Sequence, residues 1–188
     1  MINANVEYRL ISYSDYNYTM LCKEENKADI LEYAKLQGYQ IITHPISTHN
    51  GYHFGYNLTE FILLKKQQVL YEIFFQLPSF SLTDRYIIPL DKIIQNAAWT
   101  KCRFIEEKKY LIPEVEMVYR LASAIFRDKT FKSANVDWIN EYSYILNNDE
   151  FVDMLSKVFF KYTNRLLFLI KEQQFLNIFE DYLGFSQY

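Results

Sequence analysis

The spacing of apolar side chains changes once along this chain, at Pro113, and that change constrains the fold more than any other feature. Before it, segments such as VEYRLIS alternate apolar and polar residues at period two, and YNYTMLC is rich in side chains that suit a pleated, half-buried surface. After it, apolar residues return every third or fourth position. Pro113, Glu114 and Glu116 make a helix start, and Val118, Leu121, Ala122 and Ile125 form one stripe behind it. Strands first and helices second predict an α+β protein: a mixed sheet with one or two helices over residues 1–112, then a helical bundle over residues 113–188.

Within the first region a helix is expected between Glu24 and Gln37, where Ile30, Leu31 and Ala34 recur at helical spacing and Gly38 supplies a stop. YQIIT reads as a third strand, HPISTHNGYH as a loop, and HFGYNLTEFILLK and QVLYEIFFQL as paired strands. The second of these is apolar on both faces except for Glu72 and Gln76, as in a central, doubly covered strand. A connection through Pro78 and Pro89 leads to a short helix at DKIIQNAAW, and KCRFIEEKKYLI reads as a hairpin turning near Glu107. Beyond Pro113, helices are expected over NVDWINEYSYIL and, after a break and cap at Asn147-Asn148-Asp149, over EFVDMLSKVFFKY. A last helix carries Leu166, Leu169, Ile170, Leu176, Phe179 and Leu183 on one side.

Composition excludes several classes of function. A formal charge of −3 and a pI near 5.7 argue against a large sequence-independent grip on nucleic acid, even with the pairs Lys65-Lys66 and Lys108-Lys109. No apolar run spans a bilayer, since RLLFLIKE is broken by charge. Cys22 and Cys102 suit free thiols in a reducing compartment, and MINANVEYRL lacks a basic-then-apolar leader, so a cytoplasmic protein is expected. Neither cysteine has an activating neighbour in sequence. His44, His49 and His53 fall within ten residues, but no cysteine or carboxylate lies among them, which weighs against zinc.

Chemistry concentrates in YSDYNYTML. Asp15 and Asn17 stand two apart, which puts both oxygen-bearing side chains on one face of an extended strand, where they can share a hard cation such as magnesium. The competing reading makes Asp15 a turn residue bonded to nearby backbone. Glu72 is the second signal: a carboxylate among Leu70, Tyr71, Ile73 and Phe74 needs a partner, a metal or a solvent-filled cleft. Its competing reading is a strand-edge glutamate, or one paired with Arg9 on an adjacent strand.

Taken in order over about Val6 to Arg127, these elements resemble the nucleotidyltransferase superfamily, particularly its small bacterial uncharacterised and antibiotic-adenylylating members. The ordered parts are the strand, SDYNY, a helix, GYQII, a long loop, paired strands with an acid, and IPEVEMVYRLASAIF. That family carries S-D-φ-D-φ at the end of a strand, where φ is apolar, and a third carboxylate on a later strand. Ser14, Asp15 and Glu72 match; Asn17 replaces the second acid, and Ser12-Tyr13 stand where the family has a Gly-Ser turn. The resemblance implies a metal site of Asp15, Asn17 and Glu72 holding Mg2+ against a nucleoside triphosphate, with Ser14 and Asn17 beside the nucleotide. Glu72 would orient or deprotonate the hydroxyl of a small-molecule acceptor attacking the α-phosphorus, and Lys101 or Arg103 would neutralise phosphate charge. The rival expectation is a non-enzymatic module whose C-terminal helices dock a partner protein or a second copy of the chain as a homo-oligomer.

Overall fold

The computed structural model describes residues 6–13, 16–44, 61–83 and 86–183, and the architecture is α+β, with a mixed seven-stranded sheet and several helices. In chain order the elements are β1 (Tyr8–Tyr13), β2 (Asn17–Cys22), α1 (Lys27–Leu36), β3 (Gln40–His44), β4 (Phe61–Lys66), β5 (Val69–Phe74), β6 (Phe80–Thr83), β7 (Tyr86–Ile88) and α2 (Leu90–Thr100). They continue with β8 (Arg103–Ile105), β9 (Lys108–Tyr110), α3 (Pro113–Ala122), α4 (Ser133–Glu141), α5 (Asp149–Phe159), α6 (Thr163–Lys171) and α7 (Phe175–Leu183). No helix among the described residues is long and apolar enough to cross a membrane.

The chain divides into two compact units. The first comprises Met1–Ser79 with Pro89–Ile112, and the second Phe80–Ile88 with Pro113–Tyr188. The first unit holds the large sheet, in the order β3-β4-β5-β2-β1-β9-β8. The β2–β5 and β1–β9 pairs are parallel and the others antiparallel. Period-two alternation gives each strand two faces. One face carries Leu10, Met20, Cys22, Ile62, Leu64, Tyr71 and Ile73, which pack with Ile30 and Ala34 of α1 into a single apolar cluster. Burying each large side chain of that cluster contributes about 1.5–3 kcal/mol. Gly38 ends α1 at φ +73, a left-handed conformation costly for other residues, while Tyr39 N–H donates to the Ala34 carbonyl at 2.9 Å.

On the opposite face Arg9, Ile11, Leu21, Phe61 and Phe74 are buried, with the Phe61 and Phe74 rings 5.3 Å apart. The C-terminal end of α2 is tied to this side, where the Arg9 guanidinium donates to the Trp99 carbonyl at 3.3 Å and lies over the Trp99 ring. Gln95 secures the chain leaving β5: its side-chain oxygen accepts from Leu77 N–H at 2.7 Å. The β8–β9 hairpin turns at Glu106 and Glu107, both at positive φ, as a tight two-residue turn demands.

The second unit departs from the sequence expectation in three places. The connection between Pro78 and Pro89 contains a two-stranded antiparallel hairpin, β6–β7. It groups with the helices rather than with the large sheet, and Phe80 sets its ring 6.0 Å from that of Tyr119 on α3. The helix expected over NVDWINEYSYIL begins earlier, at Ser133, and yields to a 3-10 turn at Ser143–Asn147. The single last helix is two, α6 and α7, because Gln173 turns to φ +59 and Gln174 N–H reaches back to the Leu169 carbonyl at 2.8 Å. The expected cap before α5 is present: the Asn148 side chain accepts from the backbone N–H groups of Glu150 and Phe151. α3 runs on into a π-helical turn at Ser123–Asp128 that closes with Lys129 in a left-handed conformation.

Candidate functional site

The parallel pairing of β2 with β5 decides where the candidate residues lie. Asn17 pairs with Leu70, Thr19 with Glu72 and Leu21 with Phe74, so all six point to one face of the sheet, the one opposite α1. Burial on that face is graded. Leu21 and Phe74 are buried, Thr19, Leu70 and Glu72 are half-buried, and Asn17 is exposed at the start of β2. Tyr16 anchors this end, its carbonyl accepting from Leu70 N–H at 2.8 Å. The sheet therefore presents an open polar end over an apolar base.

At this end Thr19 Oγ1 donates to Glu72 Oε2 at 3.3 Å. The hydroxyl fixes one carboxylate oxygen, a role that sequence reasoning did not assign to Thr19. The signal was present, since Thr19 follows Asn17 by two residues and so shares its face, but the partner strand and register are needed to see it. The Arg9–Glu72 pair of the competing reading is not formed. β2 separates β1 from β5, and Arg9 donates instead to the Tyr8 and Trp99 carbonyls, with Glu7 3.7 Å away.

Asn17 and Glu72 are thus brought to adjacent strands on a common face, while Arg103, one of the two expected phosphate partners, belongs to a row on the other. Arg103 pairs with Tyr110, Tyr110 with Leu10, and Leu10 with Met20, a row that runs along the α1 face three strands from β2. Its guanidinium lies 5.5 Å from the Tyr110 ring centre. The face opposite α1, where Glu72 sits, is closed to it by the sheet itself. Lys101 is exposed on the extended residue that follows α2. Ser14 and Asp15 lie outside the described residues, as do His49 and His53; His44 closes β3.

The donor set is one carboxylate, one amide oxygen and one hydroxyl, all hard oxygen ligands of the kind that magnesium shares with phosphate and water. Among the described residues no group of three His, Cys, Asp or Glu side chains is placed to hold a metal ion. Burial in the α1 cluster pushes the Cys22 thiol up to about 12, which disfavours the reactive thiolate. No family model matches the chain, and neither a curated protein nor a solved structure matches it.

Proposed function

We propose that this protein is nucleotidyltransferase-like, a cytoplasmic protein that binds a nucleoside triphosphate with magnesium and transfers or presents the nucleotide to a small-molecule acceptor. One observation carries the reading. The parallel β2–β5 register sets Asn17 and Glu72 on neighbouring strands of one open sheet face, with Thr19 holding the carboxylate. What supports magnesium is donor type: a carboxylate, an amide oxygen and a hydroxyl are all hard oxygen donors. Glu72 and Asn17 would hold it, Asp15 being the third residue that the resemblance brings to the set, and the ion would supply charge neutralisation at the phosphates. Glu72, half-buried and already a hydrogen-bond acceptor, is the group to receive or orient an acceptor hydroxyl's proton.

Asn17 makes this a degenerate version of the acidic pair. An amide oxygen ligates a cation but brings no charge, so the site holds magnesium more weakly than a paired-acid one. Asn17→Asp is therefore expected to tighten Mg2+ binding about tenfold, an increment of about 1.4 kcal/mol, because it adds a charged oxygen ligand at an exposed position. Calorimetric titration of ATP with magnesium into wild type and Asp15→Ala tests the reading as a whole. Heat from the wild type that the variant lacks supports it, and equal heats or none in both proteins remove it.

A second reading has its own observation. Within the helical unit Tyr144, Phe160 and Leu176 are exposed, Leu176 at 80%. Large apolar side chains left in water favour a docking face for a partner protein or a second copy of the chain. A concentration-dependent mass in light scattering, abolished by Leu176→Lys, would select that reading.

A further inference from the structure

We infer that Lys65 supplies the cation of this site and binds the phosphate chain of the nucleotide; this rests on the nucleotidyltransferase-like reading. β4 lies next to β5, and its register pairs Leu63 with Glu72 and Lys65 with Leu70. Because Leu70 in turn pairs with Asn17, the three residues Asn17, Leu70 and Lys65 form one row across three strands on one face. Two strand spacings separate the ends of that row, about 10 Å. Lys65 is exposed, and the half-buried Leu70 beside it in the row offers an apolar bed for lysine methylenes, whose length is enough for the ammonium to reach Asn17.

The neighbouring lysine shows that the assignment of faces is physical. Lys66 points the other way: its ammonium donates to the Gln37 carbonyl at the end of α1 at 2.6 Å and lies over the Tyr39 ring. Adjacent lysines on one strand thus belong to opposite sides of the sheet, and Lys65 shares the side of the Glu72 carboxylate. A triphosphate brings several negative charges to a surface that already carries Glu72. A lysine there acts as a mobile point charge for phosphate oxygens without the fixed fork that an arginine would impose. Arg103, confined to the α1 face, cannot take this part.

The test is titration of magnesium-ATP into the full-length wild type, Lys65→Met, Lys66→Met and Glu72→Gln, with inorganic tripolyphosphate as a competitor. Methionine keeps the stem of residue 65 and removes only the charge; Lys65→Gln serves as a second variant, and thermal melting checks that each is folded. The expected result is about a tenfold weaker affinity for ATP and for tripolyphosphate in both Lys65 variants, with Lys66→Met unchanged. Wild-type affinity in Lys65→Met alongside a loss in Glu72→Gln would overturn the role of Lys65 and leave the nucleotide site standing. Equal losses in Lys65→Met and Lys66→Met would also overturn it, since they would report net charge rather than a face. A wild type that binds neither probe would remove the underlying reading, and this inference with it.

Discussion

Replacing Arg120 with alanine is expected to destabilise the helical unit by about 3–5 kcal/mol, the largest loss of stability predicted for a single substitution in this protein. Glu116 is only 2% exposed on the buried side of α3. One turn on, the Arg120 guanidinium donates to its Oε1 twice, from Nε at 2.9 Å and from a terminal nitrogen at 2.7 Å. The other terminal nitrogen donates to Asn135 Oδ1 at 2.9 Å, and the cation lies 4.7 Å from the Trp138 ring centre on α4. One side chain thus neutralises a carboxylate and ties two helices together. Alanine removes all four interactions and strips a buried carboxylate of that cation, a far larger penalty than the pair's net worth. Because whole-domain stabilities are about 5–15 kcal/mol, denaturant unfolding should show a loss of about a fifth or more. The double variant Glu116→Leu with Arg120→Met should recover most of it, because both charges leave the interior together. A single Arg120→Ala variant within about 1 kcal/mol of wild type would show that the carboxylate is served well enough by other groups.

The largest expected effect on binding belongs to Glu72→Gln. Glutamine keeps the size of the side chain and an oxygen for Thr19 Oγ1, so that hydrogen bond survives while one negative charge is removed. Removing partners one step away from a bound metal costs roughly 10–100-fold in affinity, and a direct ligand should cost at least as much. Magnesium-dependent ATP binding should therefore fall by about 100-fold or more. Thr19→Val should give a smaller loss, because valine leaves the carboxylate in place and removes only the group that orients it. The ranking is the informative part: a Thr19→Val effect larger than that of Glu72→Gln would mean that the threonine, not the acid, touches the ligand.

Much of the fold was legible because its local signals agree with its tertiary structure. The alternation in VEYRLIS and the pleated-surface residues of YNYTMLC correspond to β1 and β2, and Gly38, Pro113 and Asn148 stand at the helix boundaries where their chemistry puts them. The β6–β7 hairpin was hidden because strands of four and three residues between prolines are too short to establish a period. The break between α6 and α7 was hidden for the opposite reason. Lys171, Glu172, Gln173 and Gln174 are good helix formers, and the apolar stripe keeps helical spacing on both sides, so only the positive φ of Gln173 reveals the turn.

For the candidate site, Asn17 and Glu72 could be singled out from the residues themselves, as polar groups in apolar strands. Which face each occupies could not. A strand shifted by one residue would send Glu72 into the α1 core, and the β1–β9 pairing alone sends Arg103 to the wrong side of the sheet. Thr19 and Lys65 have the most ordinary residue types of the group, and they gain meaning only from β2–β5 and β4–β5 register.

The most direct examination of the shared face uses manganese in place of magnesium and reads paramagnetic broadening of backbone amide signals in the presence of ATP. Signals from Asn17 to Thr19 and from Leu70 to Glu72 should broaden first, Lys65 should follow, and Arg103 should stay sharp. Broadening centred on the helical unit or on the α1 side of the sheet, or none at all, would contradict it.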